Sequence, residues 1–359
     1  MVEEISPARA VPPGRILKRE LEARGWTQQD LADILQRPPQ AITEIVAGTK
    51  RITPETALEL ERALGLPAQF WVNLEANYRL QIATAKGYDD QIGLRSELYR
   101  LLPIRDLVRR GWVKGDKVLE EVGSLLGIDS LAEWPAVAAN FRLSSGKRPN
   151  NLAIVAWAKR VEHLVSGQRV GHFSAEGLRK NIPSLLAQTV DLEAVRRVPA
   201  ALADLGIRFA LVPHLPQTYM DGAAFYVGNS PVIALSLRYD RVDSFWFTLC
   251  HELAHISLGH RAAYVCNSED ASPSHAEMEA NDRARDWIIN PDAWRGFTQT
   301  HRAHFSKQTI LAVARSIDRH PGLVLGRLQH DRLVPYQHLR QLLPKVSPYL
   351  DGLIDRALT

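Results

Sequence analysis

The chain has 359 residues, 45% hydrophobic and 23% charged, enough at about 100–200 residues per domain for two or three folded domains. This composition excludes a disordered chain, a collagen-like repeat and a small disulfide scaffold. Lys and Arg number 44 against 40 Asp and Glu, a net +4, which excludes a strongly basic nucleic-acid arm. The two cysteines, Cys250 and Cys266, cannot build a disulfide framework and point to a reducing compartment. Residues 1–7 are acidic where a secretory signal is basic, and no run approaches the roughly 18 apolar residues of a membrane span. A soluble, cytoplasmic protein without membrane contact is expected.

Residues 12–80 are punctuated as short helices. Pro13-Gly14 opens a run with Ile16, Leu17 and Leu21 at helical spacing, closed by Arg24-Gly25. Thr27 with Asp30 three residues on forms a capping-box pattern ahead of Leu31, Ile34 and Leu35. Pro38-Pro39 breaks that helix and presets the first turn of another, Gln40 to Val46, stopped by Gly48. Thr53-Pro54 is an N-cap and first-turn pair for a helix over 55–64 with Gly65 as its stop, and Pro67 starts a fifth through Phe70, Trp71 and Leu74.

A helix, a three-residue break and a short third helix have the spacing of a helix-turn-helix. The third helix would bury Ala41, Ile42, Ile45 and Val46 and expose Gln40, Thr43 and Glu44, with Lys50 and Arg51 in the next loop. A plain helical bundle has the same periodicity. The stretch from Pro13 to Leu74 resembles, over its whole length, the XRE/HigA-type antitoxin helix-turn-helix, through Gly25-Trp26-Thr27-Gln28-Gln29-Asp30-Leu31-Ala32, Ala41-Ile42-Thr43-Glu44-Ile45, Ile52-Thr53-Pro54-Glu55-Thr56-Ala57-Leu58 and Phe70-Trp71-Val72-Asn73-Leu74. The resemblance implies a homodimeric repressor on a palindromic double-stranded DNA operator, with the third helix in the major groove and Gln28 holding a phosphate. Pro38-Pro39 stands where that family places small polar residues, so base readout rests on fewer side chains. Residues 1–80 hold ten Lys/Arg and eleven Asp/Glu, so phosphate contact would depend on a local cluster such as Arg37, Lys50 and Arg51.

Residues 83–205 read as a helical connector, with Leu-rich patterns over 94–102, 118–126, 152–164 and 190–202 separated by loops containing Pro103, Pro135 and Pro183. Ser145-Gly146-Lys147 lacks the earlier glycine and the following hydroxyl of a phosphate loop and is rejected as one. From about 206 short runs of strand formers appear at 207–212, 223–227 and 232–236, the last two joined as a hairpin by Gly228-Asn229-Ser230.

His251-Glu252-Leu253-Ala254-His255 lies within a predicted apolar core helix over 244–258. Histidines at i and i+4 share a helix face and can reach one Zn²⁺, while Glu252 is placed to take a proton from the attacking water. A satisfied pair of core histidines is the plain alternative. Downstream, Glu277-Met278-Glu279-Ala280-Asn281 continues in helical sequence. Phe247-Thr248-Leu249-Cys250-His251-Glu252-Leu253-Ala254-His255-Ile256 with Glu277-x-Glu279-Ala280-Asn281-x-x-Ala284-Arg285-Asp286 is similar to the ImmA/IrrE zinc metallopeptidase family, and His320-Pro321-Gly322-Leu323-Val324-Leu325-Gly326-Arg327-Leu328-Gln329 extends the similarity towards the C-terminus. The resemblance implies a gluzincin-like domain with Glu277 as third zinc ligand. Glu277 and Asn281 share a helix face, so Asn281 is expected to hydrogen-bond a ligand histidine or a nearby carbonyl, and Glu279 to face solvent or a basic neighbour such as Arg283. His260, five residues past His255, is expected to face away. Cys250 is expected to be a packed thiol. His275, His301, His304 and Tyr264 are candidate transition-state donors.

The chain is therefore read as mainly α with a small α+β domain: a helix-turn-helix at 8–82, a helical connector at 83–205, a gluzincin-like zinc domain with a short sheet at 206–300, and a C-terminal helical extension at 301–359. The favoured function is an antitoxin-type regulator carrying a zinc metalloendopeptidase-like domain, its substrate or partner a toxin or regulator protein. The rivals are a non-catalytic repressor whose zinc domain is a sensor or toxin-docking module, and a plain peptidase whose helix-turn-helix only dimerises.

Overall fold

The computed structural model describes residues 11–85, 91–128, 151–260, 275–301 and 304–355. The chain divides into two compact units, residues 1–92 and 93–359.

The first unit is built from α1 (Pro13–Arg24), α2 (Gln28–Leu35), α3 (Pro39–Val46), α4 (Pro54–Leu64) and α5 (Ala68–Ala85). Local chemistry sets its helix ends. The Thr27 hydroxyl accepts from the Asp30 N–H at 3.1 Å while the Asp30 carboxylate accepts from the Thr27 N–H at 2.6 Å, the reciprocal capping box expected there. Thr53 caps α4 and Pro54 fills its first turn. Leu17, Leu31, Ile42, Ile45, Leu60 and Trp71 close one buried core, so the helices pack by their apolar faces and leave the outer face of α3 free.

The second unit begins with α6 (Gln91–Leu101), α7 (Ile104–Arg109), α8 (Val118–Leu126), α9 (Asn151–Val165), α10 (Ala175–Ala187) and α11 (Val198–Asp204). Two departures from the sequence reading lie here. Pro183, expected in a loop, sits inside α10. The ring removes one backbone donor, at a cost of about 3 kcal/mol, and the burial of Leu178, Ile182, Leu185 and Leu186 on the same helix offsets it. The pattern over 190–202 is not one helix: the Asp191 side chain caps a new 3₁₀ turn by accepting from the Glu193 N–H, and α11 starts only at Val198. The Pro135 loop and Ser145-Gly146-Lys147 lie outside the described residues.

A three-stranded sheet follows, with β1 (Arg208–Leu211), β2 (Gly222–Val227) and β3 (Ser230–Leu235) in the order β1-β3-β2. The hairpin pairs β2 antiparallel to β3, with Ala223 opposite Ala234, and β1 runs parallel to β3. Alternation sends Phe209, Leu211, Ile233 and Leu235 into one core and Ala210, Val232, Ala234 and Phe225 into another. On the first face lies α12 (Val242–Leu258), followed by α13 (His275–Ile288), α14 (Pro291–Thr300), α15 (Lys307–Ser316) and α16 (Pro321–His330). On the second lies α9, whose Trp157 indole donates to the Val212 carbonyl at 2.8 Å. Residues from 178–202 and 323–350 share the core of α12. Among the described residues no helix is long and apolar enough to cross a membrane.

Candidate metal centre and nucleic-acid interface

In the first unit α3 buries Ala41, Ile42 and Ile45 and exposes Gln40 and Thr43. The Gln40 amide donates to the Glu44 carboxylate at 3.0 Å, and the Thr43 hydroxyl donates to the Gln28 side-chain oxygen at 3.0 Å. Gln28 at the start of α2 and Thr43 on α3 thus form one polar surface across the turn, and Lys50 and Arg51 lie exposed in the loop after α3. Arg37 does not join them. Its guanidinium pairs with Glu59 at 2.8 Å and donates to Thr56 at 3.1 Å, tying the α2–α3 turn to α4.

In the second unit α12 is buried over nearly its whole length, His251, Glu252 and His255 included. The α12 and α13 helices pack side by side and bring Glu277 to the two histidines. The His251 Nε2 and His255 Nε2 atoms are 3.0 Å apart, and the Glu277 carboxylate reaches them at 3.2 and 3.4 Å. Four tetrahedral ligands at zinc distances of 2.0–2.1 Å are separated from one another by about 3.3 Å. Two imidazole nitrogens and one carboxylate oxygen at such separations, all buried, fit a Zn²⁺ ion in donor type and spacing. Hydrogen bonds from His251 and then His255 hold the Glu277 carboxyl well below the usual carboxylate range. Burial pushes Glu252 the other way, up to about 8, with His255 opposing and Glu277 and Asp221 adding like charge. Cys250, next to His251 in sequence, is a packed free thiol pushed up to about 12 by burial.

The cleft over this cluster, about 90 Å³, is walled by Phe247, Thr248 and His260 and by Asp221–Ala224 at the start of β2. No motif in the sequence points to Asp221. Gly222 is required by a close approach: a Cβ there would lie 2.8 Å from Thr248 Cγ2 and 3.0 Å from Glu252 Oε1. Asn281 lines the same cleft, but among the described residues no hydrogen bond joins it to either histidine.

Two expectations are corrected. His260 does not face away, because α12 ends at Leu258 and Gly259 adopts a left-handed φ of 75°; the ring Nδ1 of His260 returns to 3.0 Å from His255 Nδ1. Glu279 is half-exposed to solvent as expected, and its basic neighbours are His260 at 3.5 Å and His275 at 3.3 Å. The ring of His301 sits over its own helix, at 3.1 Å from the Phe297 carbonyl oxygen, and neither His301 nor His304 lines the cleft. Tyr264 and Cys266 lie outside the described residues.

Comparison with known proteins bears on the first unit. Residues 17–71 match the helix-turn-helix family. Virulence-associated protein I of Dichelobacter nodosus is 41% identical over 75 residues, 21% of this chain and 69% of that protein. Virulence-associated protein A of the same organism is 39% identical over 70 residues, 19% of this chain and 69% of that one. Among solved structures, an addiction module antidote protein of a HigA family from Coxiella burnetii is 35% identical, covering 22% of this chain and 86% of its own, with a TM-score of 0.21.

Proposed function

We infer, from the premise that the chain belongs to the helix-turn-helix family matched by its residues 17–71, that it is a DNA-binding transcriptional regulator of the antitoxin type carrying a zinc-dependent peptidase domain of the ImmA/IrrE kind. The regulator half of this reading is supported by α3, whose buried face anchors it and whose exposed face carries Gln40 and Thr43, with Gln28 against Thr43 and Lys50 and Arg51 exposed in the following loop. Gln40 and Thr43 read base edges in the major groove, and Lys50 and Arg51 hold phosphates. A homodimer would place two such helices on a palindromic operator, one helical turn apart.

The peptidase half is carried by one observation: the convergence of His251, His255 and Glu277 beside a buried Glu252. Those three residues would hold Zn²⁺, which when bound supplies Lewis acidity to the scissile carbonyl and the attacking water. Glu252 takes the proton of that water and delivers it to the departing amine. Its burial raises the proton affinity of the carboxylate, and a base poised nearer neutral pH can both accept that proton and release it to the amine. Strand β2 lies at the edge of the sheet and its start, Gly222 to Ala224, borders the cleft, so an extended peptide can pair along that stretch of edge. The substrate class is a toxin or regulator protein that works with this chain.

The test is incubation of the zinc-loaded full-length protein with the product of the adjacent gene. Cleavage is expected for the wild type. Glu252→Gln should keep the metal and lose the cleavage, since it removes proton transfer and leaves the ligands in place. Cleavage by the Glu252→Gln variant would overturn the mechanism, and a zinc-loaded wild type that binds the partner without cutting it would leave the docking-module reading.

A further inference from the structure

We propose that His260 and Glu279 form a relay that positions His255 for the metal, in the place where Asn281 is expected to act. The inference rests on the zinc reading of the His251–His255–Glu277 cluster.

Chain geometry supplies the first part of the argument. Beyond Leu258, Gly259 takes a left-handed conformation, and the N–H groups of Gly259 and His260 donate back to the Ile256 and His255 carbonyls at 3.1 and 3.0 Å. This is the paired bonding of a Schellman cap, in which the residue after the left-handed position folds back over the last turn. An uninterrupted helix would put residue 260 some 140° away from residue 255. The cap instead brings the His260 ring to the ring of His255, with centroids 5.2 Å apart and the two Nδ1 atoms at 3.0 Å.

Chemistry then fixes the direction. A histidine that gives Nε2 to a metal carries its proton on Nδ1. The convergence of the His251 and His255 Nε2 atoms on Glu277 marks Nε2 as the inward nitrogen of both. The Nδ1–H of His255 therefore donates to His260 Nδ1, which leaves the proton of His260 on Nε2, and that nitrogen faces the Glu279 carboxylate at 3.5 Å. The carboxylate polarises His260, His260 becomes a stronger acceptor, and the His255 ring is held in the tautomer and orientation that a metal needs. His251 has no equivalent, since its Nδ1 is buried with no hydrogen-bond partner among the described residues. One ligand is thus held from outside and the other by packing, with Phe247 against its ring at 6.3 Å between centroids.

Zn²⁺ affinity of the full-length protein, measured by competition with a chelator, tests the relay. His260→Ala is expected to weaken binding by about 10–100-fold. Glu279→Ala should weaken it by less, and the double variant should match His260→Ala alone, because Glu279 acts through His260. His275→Ala should bind as the wild type does: its ring also touches Glu279 but stands 84% exposed. His260→Gln, whose amide oxygen can accept from His255, should recover part of the loss. The visible spectrum of the Co²⁺ form should shift in His260→Ala and Glu279→Ala but not in His275→Ala, a change that a general loss of stability would not give. Should His260→Ala fail to fold, Glu279→Gln on a half-exposed side chain carries the same test through affinity and spectrum. Wild-type affinity in the His260 variants, or a Glu279 effect undiminished when His260 is already gone, overturns the relay. A wild type that takes up neither Zn²⁺ nor Co²⁺ overturns the zinc reading itself, and the relay with it.

Discussion

Glu252 ties the proposed chemistry to the stability of the metal-free protein. Its carboxyl is buried on α12 and pushed from an ordinary 4.5 up to about 8, chiefly by loss of water. Between those two values the folded protein holds a proton that the unfolded chain has released, so folding stability must fall as pH rises through this window. Integrating the difference gives a penalty of about 2.7 kcal/mol at pH 6.5 and about 4.6 kcal/mol at pH 8.5, a loss of about 2 kcal/mol across the interval. Glu277 shifts the opposite way, and its contribution is lost only as pH falls below the ordinary carboxylate range. His214 and His320, both pushed down by burial, withdraw stability as pH falls through 6.5. All three are common to the wild type and Glu252→Gln, so the difference between the two proteins isolates Glu252. Urea unfolding of both in the presence of EDTA, at half-unit steps from pH 6.5 to 8.5, should show Glu252→Gln gaining on the wild type by about 2 kcal/mol. A constant difference across that range would refute the reasoning, because it would mean that Glu252 ionises in the fold as it does in water.

What could be read from the sequence was what local chemistry decides. The Thr27–Asp30 box, Pro39, Thr53-Pro54 and the glycines at 25 and 65 act within one turn of themselves, and the helix ends fall where those residues stand. The hairpin of β2 and β3 is equally local. Pro183 misled because the burial of its helix, which is not local, outweighs a backbone donor. In the site, His251, Glu252 and His255 share one helix and their spacing alone suggests their company, whereas Glu277 arrives from another helix and only the family resemblance points to it. Asp221 approaches from the bend just before β2 and carries no signal at all. Helical periodicity puts His260 on the far face, but it stops at Gly259, where the left-handed backbone ends the helix and turns His260 back.

The remaining predictions address each unit in turn. Thr27→Ala removes the cap of α2 and should cost the first unit about 1 kcal/mol, read from its thermal transition. Full-length protein should select a palindromic duplex from a random pool; Lys50→Ala should weaken all sequences alike and lower the salt slope by about 0.9, while Gln40→Ala with Thr43→Ala should flatten the preference instead. Gly222→Ala tests the contact between β2 and the metal helix. The added Cβ would stand 2.8 Å from Thr248 Cγ2 and 3.1 Å from the Ala234 carbonyl oxygen; neither a β-branched side chain on a buried helix nor a ladder carbonyl yields easily, so β2 and α12 must part, at about 1–3 kcal/mol. Because Glu252 Oε1 is among the three atoms nearest this Cβ, at 3.0 Å, and no ligand atom is, the variant should lose stability and cleavage while keeping its zinc affinity. Calorimetry and a zinc titration on one preparation check this, and a variant as stable and as active as the wild type would show that the approach of β2 does not set the position of Glu252.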